Sequence, residues 1–126
     1  MSQISKEDPL LSLLTERSFL TKAQVETLLI ELSFPEKGKY KEKGAMRNVS
    51  KGAFKRVLSQ AARNVKKTVY TLLLLAYVGI IDEVFVNALG DILPTLKMAA
   101  TLSDKGKEKV SKEIIKIVED MLSLYL

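Results

Sequence analysis

Residues Tyr40–Val65 read YKEKGAMRNVSKGAFKRVLSQAARNV. A short helix-forming run breaks at Asn48, a residue that tolerates the left-handed backbone ending a helix. The chain restarts at Ser50, whose hydroxyl can accept from a free N–H of the next helical turn. From there Phe54, Leu58, Ala61 and Val65 recur at spacings of 4, 3 and 4, one stripe of a helix. Lys51, Lys55, Arg56, Ser59 and Arg63 project away from that stripe, and Val49 is placed to plug the turn. Gly52 and Ala53 are small, so the second helix can lie deep in a groove. Short helix, tight turn and long basic helix together form the layout of a helix-turn-helix, whose second helix enters the DNA major groove.

The flanking sequence is also helical, with no strand-like alternation bounded by hairpin turns. Asp8-Pro9 starts a helix with Leu10, Leu13 and Leu14 as its stripe. Thr21–Gln24 forms a capping box ahead of a helix facing inward through Val25, Leu28, Leu29 and Leu32. That helix stops before Phe34-Pro35, and a turn with Gly38 leads to a helix over Tyr40–Arg47. The helix capped by Ser50 extends to Val78, before Gly79. Asp82 caps the next, which Pro94 kinks or ends, and the last starts near Ser103. If the Tyr40 helix is rotated, Ala45 and Met46 face inward; it can also be only partly formed.

The most apolar run, Val69–Ile81, is thirteen residues long and bounded by Lys66, Lys67, Asp82 and Glu83. A spanning helix needs about 20 apolar residues, so the run reads as a core helix buried on most faces, with no membrane role. Further on, Val110, Ile114, Ile117, Met121 and Leu124 are spaced 4, 3, 4 and 3. This heptad seam, widened by Val118, Leu122 and Tyr125, predicts a homodimer or packing on the Leu72–Ile81 helix. The expected fold is all-α and a single domain, residues 1–126. Residues 19–67 form a tri-helical helix-turn-helix core, and residues 68–126 a helical core and dimerisation part.

Charge adds a second line of argument. The net charge of +5 is unevenly spread. Between Glu36 and Lys67 eleven basic residues face two acids, giving +9; elsewhere nine basic residues face thirteen acids, giving −4. A focused basic segment in an otherwise acidic chain points to a polyanion.

The run Val49-Ser50-Lys51-Gly52-Ala53-Phe54, with Leu58, Ala61 and Val65, resembles the recognition-helix pattern of sigma-factor region 4 and similar regulators. Phe19-Leu20-Thr21-Lys22-Ala23-Gln24-Val25, with Leu28, is similar to the Leu-Thr-x-x-Gln opening of that class. Archaeal Tfx-type regulators share this opening and a tail similar to Ala61-Ala62-Arg63-Asn64-Val65. The resemblance spans about residues 19–67. It implies a tri-helical DNA-binding core and transcriptional control, but not a sigma factor, because nothing here looks like the other sigma regions. Gly44 fills the family's small-residue position and Asn48 its turn-glycine position. Lys43 and Arg47 depart from the pattern, standing where the family has Ile- and Leu-like core residues.

On this reading Lys51, Gly52, Lys55, Arg56 and Ser59 face base edges, with Lys55 and Arg56 able to hydrogen-bond guanine. Lys39, Tyr40, Lys41, Arg47, Ser50, Arg63, Lys66 and Lys67 are the phosphate candidates. Tyr40 can equally pack on Phe34 or Phe54, and Ser50 can serve only as an N-cap. The expected partner is double-stranded DNA, bound by a homodimer.

The chain has no cysteine and no histidine. That excludes thiol and imidazole chemistry and His-containing triads. Gly38, Gly44 and Gly52 lack the spacing of a phosphate-binding loop. No catalytic residue, cofactor or metal is therefore expected. Met1–Pro9 has no basic-then-apolar pattern, so a cytoplasmic protein without a secretory signal is expected. Six Asn plus Gln in 126 residues, with no cysteine, fit a heat-adapted source, and the resemblance to Tfx-type regulators implies an archaeal one. Three other functions use the same features: a sequence-neutral DNA-organising protein, a helical adaptor whose basic face docks an acidic protein, and, last, a protein of the membrane surface.

Overall fold

The computed structural model describes residues 8–34 and 36–126; Pro35, expected in the turn after the second helix, lies outside them. Six helices and no strand occur among the described residues. They are α1 (Pro9–Arg17), α2 (Lys22–Ser33), α3 (Tyr40–Ala45), α4 (Lys51–Tyr77), α5 (Glu83–Ala99) and α6 (Asp104–Ser123). The chain divides into two compact units, one holding residues 11–68 and the other residues 8–10 with 69–126.

The local signals act where the sequence places them. The Asp8 carboxylate accepts from the Leu10 N–H at 3.1 Å. Thr21 and Gln24 close a reciprocal capping box, each bond 3.1 Å long. The Ser50 hydroxyl accepts from Ala53 N–H at 3.1 Å, and Asn48 takes φ 57°. Gly79 (φ 81°) ends α4 with Gly79 N–H bonded to Ala76 and Ile80 N–H bonded to Leu75, a Schellman motif. α5 runs through Pro94 rather than ending there. The proline lacks an N–H for the carbonyl four residues back, that of Gly90.

In the first unit Ile30, Phe54 and Ala61 are fully buried. The inward side of α2 is not the expected Val25–Leu32 stripe. Gln24, Glu26, Thr27 and Ile30 are its buried residues, while Leu32 is 81% exposed. The α4 stripe is buried at Phe54 and Ala61, but Val65 lies outside.

In the second unit Leu10, Ile92, Ala99, Val110 and Ile114 form the core, with Leu96, Leu102, Val118 and Met121 packed against it. Lys107 pairs with Asp8 at 3.1 Å. The expected dimer seam is therefore divided. Val110, Ile114 and Met121 pack within the chain because α5 covers that side of α6, whereas Ile117 and Leu124 are exposed. The expectation for Val69–Ile81 also fails: only Ile81 is buried, and no residue from 69 to 80 is. At the start of α5, Asp82 accepts from Phe85 N–H at 3.1 Å and from the Tyr125 hydroxyl at 2.8 Å. Phe85 and Tyr125 rings meet edge to face at 5.3 Å. The Phe85 backbone bond and then the Tyr125 hydroxyl hold the Asp82 carboxyl below its ordinary range. The bond donated to Asp82 raises the Tyr125 phenol.

Candidate nucleic-acid interface

Helices α3 and α4 and the turn between them lie in the first unit up to Thr68. The turn is tight because Gly44 has no side chain. A β-carbon there would sit 2.8 Å from the Val49 carbonyl oxygen and 3.1 Å from that of Ser50. Val49 N–H donates to the Gly44 carbonyl at 2.9 Å, closing the backbone on itself. Val49, expected to plug the turn, is half-buried there.

α3 does not rotate to bring Ala45 and Met46 inward. Both are exposed. Lys43 and Arg47 occupy the inward positions, their side chains 3% and 12% exposed. They are tolerated because α2 supplies counter-charges. Lys43 Nζ donates to the Glu31 carboxylate and, at 2.9 Å, to the Glu36 carbonyl. Arg47 Nε donates to Glu26 at 3.4 Å, and another of its guanidinium nitrogens donates to the Thr27 hydroxyl at 3.0 Å. Arg47 was expected at a phosphate; it is turned into the unit instead, because the buried Glu26 carboxylate holds it. Sequence reasoning missed Glu26 and Glu31. The available signal was that two cations at inward positions, one in α3 and one in the turn after it, require two anions on the helix facing them.

The remaining nine basic residues of this segment, from Lys37 to Lys67, are exposed. Lys51, Gly52, Lys55, Arg56 and Ser59 are all exposed on α4, whose buried residues are Phe54 and Ala61. Lys41, Ser50, Arg63, Lys66 and Lys67 are exposed too. Lys39, at φ 58°, forms a 3.9 Å surface pair with Glu36, a contact of little energetic weight. Tyr40 is half-buried, its ring 6.1 Å from that of Phe54, so packing accounts for its position. The Lys55 ammonium lies 5.5 Å from the same ring. Tyr40 thereby steadies a base-reading candidate by a cation–π contact.

The two ends of the resemblance meet in space. Asn64 on α4 donates to the Gln24 side chain at 3.2 Å and to the Phe19 carbonyl at 3.3 Å. Gln24 is the capping-box residue of α2, so one amide both caps that helix and ties it to α4. Thr21, Gln24 and Asn64 thus form one hydrogen-bonded group that joins the start of α2 to α4.

Among the described residues no group of acidic side chains could hold a metal ion, and no helix is long and apolar enough to cross a membrane. No protein-family model, curated protein or solved structure matches the chain.

Proposed function

We propose that the chain is a sequence-specific double-stranded DNA-binding regulator of transcription that reads the major groove with the outer side of α4, starting near Ser50. The observation that carries this reading is the sorting of charge. Lys43 and Arg47 are turned inward onto carboxylates of α2, and the other nine basic residues between Lys37 and Lys67 are exposed. Lys51, Lys55, Arg56 and Ser59 are the base-reading residues, with Gly52 allowing close approach. Lys39, Lys41, Ser50, Arg63, Lys66 and Lys67 contact phosphates, giving affinity without sequence choice. The five cationic contacts among them give a slope of log K against log salt of about −4.5.

The test is selection of a preferred duplex from a random pool, followed by titration of that duplex and random DNA at several salt concentrations. Arg56→Ala weakens binding to the selected duplex more than to random DNA, by about 1–3 kcal/mol for one lost bidentate contact. Lys67→Ala weakens both alike. Equal affinity for the two DNAs identifies a sequence-neutral DNA-organising protein. Failure to bind any duplex at about 50 mM salt leaves the adaptor reading.

A further inference from the structure

We infer that residues 69–77 of α4, with the outer side of α5, form the contact surface for a second copy of this chain. The inference does not rest on DNA binding. Residues 68–81 carry no charge, yet Tyr70, Leu73, Leu74 and Tyr77 are 66%, 60%, 59% and 90% exposed. A helix apolar on all sides normally has neighbours on all sides. Here the second unit's own core lies between α5, α6 and Leu10, and none of residues 69–80 is among its buried members.

Area supports a macromolecular occupant. Tyr70, Leu73, Leu74 and Tyr77, at i, i+3, i+4 and i+7, share one side of the helix and each exposes more than half of its surface, a patch suited to extend with α5 toward the about 800 Å² per partner of a stable interface. α5 adds exposed Val86, Leu89 and Leu93 around Gly90, where a shallow apolar groove has open space at the missing β-carbon.

Charge selects the occupant. The uncharged stretch is bracketed by Lys66 and Lys67 before it and by Asp82 and Glu83 after it. Two copies of α4 laid antiparallel set the Lys66–Lys67 end of each near the Gly79 turn of the other, where Asp82 and Glu83 open α5. The surface is self-complementary, as a two-fold contact requires. An anionic lipid surface would attract the basic end and repel the acidic end, so only a second copy complements both. This replaces the α6 seam, most of which is spent inside the chain.

The experiment is sedimentation equilibrium of the full chain without DNA at about 50 µM, a concentration at which a micromolar dimer is populated. Wild type is expected at twice the 14.1 kDa chain mass. Leu73→Glu/Leu74→Glu is expected to halve the mass with an unchanged far-ultraviolet circular dichroism spectrum, since neither side chain is buried. Ile117→Glu, on the exposed remnant of the α6 seam, leaves the dimer intact. Wild type at the single-chain mass overturns the proposal, and co-sedimentation of that monomer with anionic vesicles reassigns the surface to lipid. A dimer that survives the double substitution, or that Ile117→Glu dissociates, also overturns it. Failure to bind DNA would leave all of these outcomes unaffected.

Discussion

Arg47 gives the sharpest test, because the sequence places it at a phosphate and the structure places it in the interior. Its partner Glu26 is 7% exposed and so has little access to water. Arg47→Met strands that carboxylate. Removing one member of a buried ion pair costs about 3–5 kcal/mol, a large part of the 5–15 kcal/mol that holds a typical domain together. The 3.4 Å Arg47–Glu26 separation is long for a charge-assisted bond, which points to the lower end, about 3 kcal/mol. The double variant Glu26→Leu/Arg47→Met removes both charges. Thr27 keeps its 2.7 Å bond to the Ala23 carbonyl, so no buried hydroxyl is left without a partner. Its stability is expected to return to wild type or exceed it.

Urea denaturation measures this, with hydrogen exchange at the α2 and α3 amides separating loss of the first unit from loss of the second. DNA binding supplies an independent readout. The double variant keeps the wild-type salt slope if Arg47 is interior, and loses about 0.9 from its magnitude if Arg47 neutralises a phosphate. A single variant within about 0.5 kcal/mol of wild type, the range of an ordinary surface change, refutes the argument. A double variant as weak as the single one refutes it equally.

Gly44→Ala forces a β-carbon to 2.8 Å from a backbone oxygen; the expected loss is about 1–3 kcal/mol by denaturation, typical of overpacking. Asn64→Ala unties α2 from α4 and is expected to cost about 1 kcal/mol for the net hydrogen bonding lost, with faster exchange at the Thr21–Gln24 turn. Asp82 has its folded-state pKa lowered from 3.8, so its contribution to stability is complete above that value and lost as pH falls through the lowered one. Tyr125 has its pKa raised from 10.0, so its contribution is present below that value and lost as pH rises through the raised one. Tyr125→Phe is therefore expected to diminish the acid-side loss and abolish the alkaline one attributable to this pair, as read by denaturation across pH.

Features set by one or two neighbouring residues were legible in the sequence. The Thr21–Gln24 box, the left-handed Asn48, the Ser50 and Asp82 caps and the Gly79 stop depend on backbone groups a few residues away. The outward side of α4 was legible because Phe54 and Ala61 fix its phase. The inward side of α2 was not. Hydrophobicity favours Val25, Leu28 and Leu32, but Asn64 and Arg47 draw in Gln24, Glu26 and Thr27 across 40 and 21 residues of sequence. The heptad from Val110 to Leu124 was correctly apolar but ambiguous in partner. Periodicity shows which side of a helix avoids water, not whether its own chain or another covers it.

The inward charges also explain how so short a helix holds its direction. α3 reads YKEKGA, six residues with almost nothing apolar to bury, far below the length at which a helix persists alone. Its orientation comes from Tyr40 against Phe54, the close backbone approach at Gly44, and Lys43 and Arg47 reaching α2. Lys43 in α3 and Arg47, two residues past its end in the turn, are four apart and face the same way, and their acceptors Glu31 and Glu26 are five apart on α2. Rotating α3 by one residue, about 100°, would carry both cations away from both carboxylates. An apolar side would tolerate such slippage at little cost, since hydrophobic contact is non-directional. The ionic contacts do not, and the turn that aims α4 follows directly from α3. Two of the eleven basic residues thus set the geometry in which the other nine are displayed.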